Sequence, residues 1–117
     1  MISKSFRLTK NDIKYILKKG DTNQSRLFIV KSRSSTNLLP KIAVITSKKL
    51  AKKAVIRNKL RRKIYEAFRL EMKETGTHPQ KDFIFIAKTG ILNKDFWEIK
   101  KDLNQILQNE QNKQISP

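Results

Sequence analysis

The stretch Asp82 to Lys88, DFIFIAK, constrains the chain more than any other, because every position from Phe83 to Ala87 is apolar. A strand turns alternate side chains to opposite faces, so an apolar run without alternation reads as a central strand covered on both sides. The rest of the chain has to supply that cover. Leu60, Ile64, Ala67, Phe68 and Met72 recur at the spacing of one helix face. Phe96, Ile99, Leu103, Ile106 and Leu107 mark a second stripe, in a helix expected from about Asn93 to Gln108 with Asn93 as its cap. Phe28, Phe83, Phe85, Phe96 and Trp97 are read as core rather than as stacking platforms.

Arg26 to Arg33 (RLFIVKSR) and Lys41 to Ser47 (KIAVITS) read as two antiparallel strands joined through SSTNLLP. Asp21 to Ser25 can add a short strand, though nothing apolar supports it. Lys31 and Arg33 give one sheet face positive charge near the strand end. Thr9 to Gly20 is a short helix with Thr9 as N-cap, Asp12 as capping-box partner, Leu8 and Ile13 as a hydrophobic staple, and Gly20 as a left-handed stop. The element order implies an α+β two-layer sandwich around one sheet. With 117 residues, a single domain is expected over 1–108, followed by a frayed polar tail at 109–117.

The helix that begins this cover also carries the charge. From Lys48 to Lys63 there are nine Lys or Arg residues and no acid, and the first acid inside the helix is Glu66. A merely solvated helix usually relieves such repulsion with acids four residues away. Here the repulsion is left standing, which makes sense if a polyanion neutralises it. The formal charge of +17 points the same way, to nucleic acid. Leu60, Ile64, Ala67 and Glu71 share one stripe, and Asn58, Arg61, Arg62, Tyr65 and Arg69 fan out beside it.

No cysteine is present, which excludes a disulfide framework, a thiolate zinc site and a catalytic thiol, and fits a reducing cytosol. The N-terminus lacks the apolar core of a signal peptide, and no apolar run is long enough to span a bilayer. A cytoplasmic protein without a membrane partner is expected. The single histidine, His78, sits beside Pro79 in the expected Thr75 to Gln80 turn with no second ligand or triad partner. No glycine-rich phosphate loop and no acid and base pair can be assembled, so neither catalytic residues nor a small-molecule substrate is expected.

Ser47-Lys48-Lys49, then Ala54-Val55-Ile56-Arg57-Asn58-Lys59-Leu60-Arg61-Arg62, then Glu66-Ala67-Phe68-Arg69 resembles the signature of the bacterial ribonuclease P protein family, whose hallmark is an Arg-Asn-Arg core on a helix. FRLTKNDIKYILKKG is similar to that family's first helix and DFIFIAKTG to its following strand. The resemblance implies a single mixed sheet of about four strands with three helices and a left-handed βαβ crossover, which the general handedness rule would reject. It implies a ribonucleoprotein in which a large RNA cleaves precursor tRNA, with magnesium bound mainly by that RNA. By the same resemblance Arg57, Asn58, Lys59, Arg61 and Arg62 face the ribonuclease P RNA, with Lys48, Lys49, Lys52 and Lys53 nearby. Ile13, Leu17, Ile29, Lys31 and Tyr65 would line the cleft for the 5′ leader of precursor tRNA.

The chain departs from the pattern at Lys59, which keeps the charge of arginine without its planar fork. Tyr65 stands where the family is often basic, and the aliphatic Ile13 and Leu17 stand where some members carry aromatics. The alternative function is a structural protein of the ribosomal type that binds rRNA.

Overall fold

The structure, a computed structural model, describes residues 7–37, 39–75 and 79–115, except for the side chains of 112–115. His78 and the two residues before it in the expected turn lie outside these residues. Strands β1 (Asp21–Gln24), β2 (Phe28–Ser34), β3 (Ile42–Ile45) and β4 (Lys81–Ala87) form one mixed sheet with helices α1 (Lys10–Lys19), α2 (Ala54–Glu74) and α3 (Phe96–Ile115). The strand order is β1-β2-β4-β3. β4 pairs antiparallel with β2 and parallel with β3, so β3, α2 and β4 make a βαβ unit of adjacent strands.

The doubly apolar β4 sits where its composition requires. Phe83 and Phe85 have no exposure and face α2 and α3, together with Phe28, Val30, Ile42 and Val44 of the neighbouring strands. The Phe85 ring lies 5.5 Å from Phe28, 5.9 Å from Phe68 and 5.7 Å from Phe83, centroid to centroid. From the helices this core takes Leu60, Ile64, Ala67 and Phe68 of α2, and Ile99, Leu103, Ile106 and Leu107 of α3, as their spacing predicts. Ile84 turns the other way, into a smaller cluster with Leu8, Ile16 and Ala43, flanked by Ile13, Ile45 and Ile86. The sheet with α2 and α3 makes the two layers, and α1 covers part of the opposite face.

The expected pairing of the two early strands is corrected. β2 and β3 do run in opposite directions, but β4 lies between them, antiparallel to β2 and parallel to β3. β1 does form, fully exposed along its length, as an edge held to β2 by backbone pairing.

Helix ends follow local chemistry. The Thr9 and Asp12 capping box is present, with Thr9 Oγ1 accepting from the Asp12 N–H at 3.2 Å and Asp12 Oδ2 accepting from the Thr9 N–H at 3.2 Å. Gly20 ends α1 in extended backbone, not in the left-handed region. Glycine is required there for space, since a Cβ would meet the Ile16 and Ser32 carbonyl oxygens at 2.6 and 2.7 Å. The cap of α3 is Asp95, whose Oδ1 accepts from the Glu98 N–H at 2.9 Å. Asn93 is taken up in a 3-10 turn over Thr89–Asn93 that precedes it.

The last helix also runs past Gln108, through most of the stretch read as a frayed tail. Glu110 is 3% exposed and accepts from Lys81 Nζ at 2.6 Å and Asn23 Nδ2 at 3.0 Å, which ties that turn to the sheet. Trp97 is not core. It stands 68% exposed with its ring perpendicular to that of Phe96, since the stripe of α3 passes through Phe96 and Ile99 and leaves position 97 outside.

Candidate nucleic-acid interface

The basic run is two pieces, a loop and a helix. β3 ends at Ile45 and α2 starts only at Ala54, so Lys48, Lys49, Lys52 and Lys53 stand on the connection. Leu50 is buried and fixes that connection to the core, and its N–H donates to the Ser47 carbonyl at 3.1 Å. Arg57 then turns back on the loop. Its Nη1 donates to the Ala51 carbonyl at 2.8 Å and to the Lys52 carbonyl at 2.7 Å. The arginine read as an RNA contact thus also pins the backbone that displays the lysines.

Behind this loop α2 opens with no acid in its first turn, and its N-cap, Lys53, makes no side-chain cap bond. The unpaired N–H groups and the positive end of the helix dipole therefore add to the cations already there. Asn58, Lys59, Arg62 and Lys63 are exposed beyond it, while Leu60 and Ile64 anchor the opposite face. Arg61 Nη2 donates to Asn58 Oδ1 across one turn, so the two signature side chains orient each other. The first acid, Glu66, does not relieve the cluster. Arg69 Nε reaches both its oxygens, at 3.2 and 3.1 Å, and these bonds hold the Glu66 carboxyl below the ordinary range. Among the described residues, Lys48, Lys49, Lys52, Lys53, Lys59, Arg62 and Lys63 make no ion pair.

The residues read as a leader cleft fall into two places. Ile29 and Lys31 alternate with the buried Phe28 and Val30, so they face the α1 side, where Ile13 packs beside Ile45 and Ile86. Leu17 lies on the flank of α1 at 37% exposure. These four share one face of the sheet, which α1 covers only in part. Lys31 Nζ donates to Thr22 Oγ1 at 2.9 Å on the edge strand.

Tyr65 lies on the other side, packed against the larger core at β3. Burial pushes its phenol pKa up, against the Val44 backbone and the charges of Arg7 and Arg61. It therefore borders the basic helix rather than the Ile13 and Ile29 face. β3 runs parallel to β4, so the basic loop leaves the sheet at the end where Ile29 and Ile86 lie. Loop and open face adjoin.

The positive sheet face expected from Lys31 and Arg33 is half as charged as the sequence implies. Arg33 is held by two carboxylates, Asp12 Oδ1 and Asp82 Oδ2, each at 3.1 Å, with its guanidinium 5.8 Å from the Tyr15 ring centroid. Burial disfavours its charge, but the two carboxylates outweigh that and raise its pKa. One cation outside the sequence reading stands at the sheet edge instead. Arg7 bridges Ile42 on the outer edge of β3, and a lone arginine ahead of a cap gives no periodic signal.

Among the described residues no three His, Cys, Asp or Glu side chains converge as a metal site requires. Most acids have internal partners: Asp102 accepts from Ser25 Oγ at 2.6 Å and the Leu27 N–H at 3.2 Å, and Glu71 from Lys100 Nζ and Asn104 Nδ2, both at 2.7 Å. Among the described residues, then, no carboxylate cluster is left over for magnesium. Among the described residues no helix is long and apolar enough to cross a membrane.

The profile of the family described as Ribonuclease P matches residues 2–111. The chain belongs to the ribonuclease P protein family. A ribonuclease P protein component from Listeria monocytogenes serotype 4a is 34% identical over 110 residues, covering 91% of this chain and 88% of the relative. One from a Geobacillus species is 32% identical over 108 residues, with 91% and 90% covered.

Among solved structures, a Staphylococcus aureus ribonuclease P protein mutant with defective mRNA degradation activity superposes with a TM-score of 0.77 at 30% identity, over 92% of this chain and 90% of that one. The Thermotoga maritima ribonuclease P protein gives 0.76 at 26% identity, over 88% and 96%. The ribonuclease P protein fold is thus shared over nearly the whole chain. Membership in the ribonuclease P family carries with it RNA binding and a place in tRNA processing.

Proposed function

We propose that the chain is the noncatalytic protein subunit of a cytoplasmic ribonuclease P ribonucleoprotein that matures the 5′ end of tRNA. The observation that carries this reading is the acid-free surface of Lys48 to Lys63, held rigid by Leu50 and the Arg57 hydrogen bonds. Such a surface neutralises phosphates of a folded RNA and releases their counterions. The grooves of an RNA duplex are poor reading surfaces, so it selects its partner by shape and backbone more than by sequence.

The adjoining face of Ile13, Leu17, Ile29 and Lys31 suits a single-stranded 5′ leader. Its aliphatic side chains offer van der Waals contact in place of aromatic stacking, and Lys31 offers one charge. The cleavage chemistry belongs to the RNA, and the magnesium that this chemistry uses is held mainly by the RNA. The role of this chain is to bind, orient and relieve phosphate repulsion.

The test is cleavage of a 5′-extended precursor tRNA at low magnesium by a bacterial ribonuclease P RNA, with and without the protein. Stimulation by the native chain and none by the Arg57/Arg61/Arg62→Ala triple variant is expected. No stimulation, together with tight salt-sensitive binding to other structured RNA, would turn the reading to a ribosomal-type RNA-binding protein.

A further inference from the structure

Arg7 makes its only described backbone pairing with Ile42, in parallel register, on the outer edge of β3. Ile42 is fully buried toward α2 and α3, so the paired Arg7 points to that side. The next residue confirms the alternation, since Leu8 enters the opposite cluster under α1. Arg7 therefore lies beneath α2, and its Nε is shielded from water with no hydrogen-bond partner. Buried donors are almost always satisfied, so one left unmade on a charged group is a standing cost.

Two α2 side chains share this edge. Tyr65 faces the Val44 backbone there, with Arg7 and Arg61 close enough to act on its hydroxyl. Arg61 is oriented by Asn58. The nearest acid along α2, Glu66, is already bound by Arg69. Two guanidinium groups and a hydroxyl thus gather without a carboxylate to offset them. Guanidinium forks match tetrahedral oxyanions, and the half-buried phenol adds a hydroxyl beside them.

We propose that Arg7, Arg61 and Tyr65 form a site for one backbone phosphate of the bound RNA at the outer edge of β3, an inference that rests on the RNA-binding function above. It extends the interface from the basic helix onto the segment that precedes α1.

The experiment titrates the full chain against a ribonuclease P RNA from about 50 to about 400 mM salt. Arg7→Ala is expected to lower the slope of log affinity against log salt by about one and to weaken low-salt binding about tenfold. Arg7→Lys should keep the slope yet bind severalfold more weakly, Tyr65→Phe should bind severalfold more weakly, and Lys101→Ala should match the native chain. If Arg7→Ala loses its cooperative thermal transition, the Lys and Phe variants carry the test.

Slope and affinities equal to the native chain in all variants that fold would overturn the site while leaving the RNA-binding function intact. So would thermal stabilisation by inorganic phosphate that Arg7→Ala abolishes with RNA binding unchanged, since the site would then serve a free anion. A native chain that neither binds the RNA in a salt-dependent way nor stimulates cleavage sinks the proposed function and the site with it.

Discussion

Arg57 shows how far one side chain serves two ends, because its Nη1 is committed to the Ala51 and Lys52 carbonyls before any RNA arrives. Hydrogen bonds from a charged group contribute about 1.5–3 kcal/mol each. Arg57→Ala is therefore expected to weaken RNA binding by about tenfold or more, where Lys101→Ala does not, as filter binding at fixed salt will read. Equal losses would show that overall charge does the binding. The sequence placed Arg57 on the helix, but its reach back to the loop is a tertiary fact with no periodicity to announce it.

The α1 ends were legible because a capping box joins residues three apart. Asp12 accepts from Thr9 first and from Arg33 second, and both hold its carboxyl below the ordinary aspartate value of about 3.9. In the interval between the folded and unfolded values the unfolded chain binds more protons, so stability rises with pH there. The contribution is complete above about pH 4 and is lost as pH falls through the folded value. Urea unfolding of native and Asp12→Asn chains should differ near neutrality and converge in acid. Gly20 was legible as a terminator for a different reason than the one that holds, since close approach to two carbonyls, not a left-handed turn, excludes a side chain. Gly20→Ala is expected to destabilise the fold by about 1–3 kcal/mol, measured by the same unfolding.

An element can be poorly built by stability rules and still be right for its task, and the start of α2 is such a case. Its N-cap is a lysine with no cap bond and its first turn has no acid. Lys53→Asp supplies both a cap acceptor and a favourable charge at the dipole, and should raise stability by about 1 kcal/mol. The same variant should bind RNA more weakly, so melting and binding are expected to move in opposite senses. The stripes of α2 and α3 and the two-sided burial of β4 were legible, because each is written at its own period. The β3 and β4 pairing was not, since it joins Ile42 to Phe83 across the whole of α2. Nor was the end of α3, where Glu110 depends on Lys81 and Asn23 from distant strands. Trp97 shows the limit of composition, because its outward position follows from the phase of the helix and not from its hydrophobicity.

The whole molecule keeps its cations and its acids apart in function. The acids clamp elements together, as Asp102 holds the β1–β2 turn to α3 and Glu71 holds Lys100 of α3 to α2, while the lysines of the loop remain open to a partner. If about six phosphates are neutralised, affinity for RNA should fall by about a thousandfold between about 50 and about 200 mM salt. A shallow dependence in that titration would mean that contacts other than phosphate dominate.

The strand order β1-β2-β4-β3 carries one more consequence, for the order in which the protein comes into being. The strand at the centre of the hydrogen bonding is the last strand to leave the ribosome. Until residues 81–87 are made, β3 has no neighbouring strand and α2 has no finished sheet to rest on. The cationic loop and helix are therefore synthesised well before the surface that shapes them, and the sheet closes in one late, long-range event rather than by stepwise growth. A nascent chain halted short of β4 would expose its most strongly charged segment to cellular polyanions while still unfolded.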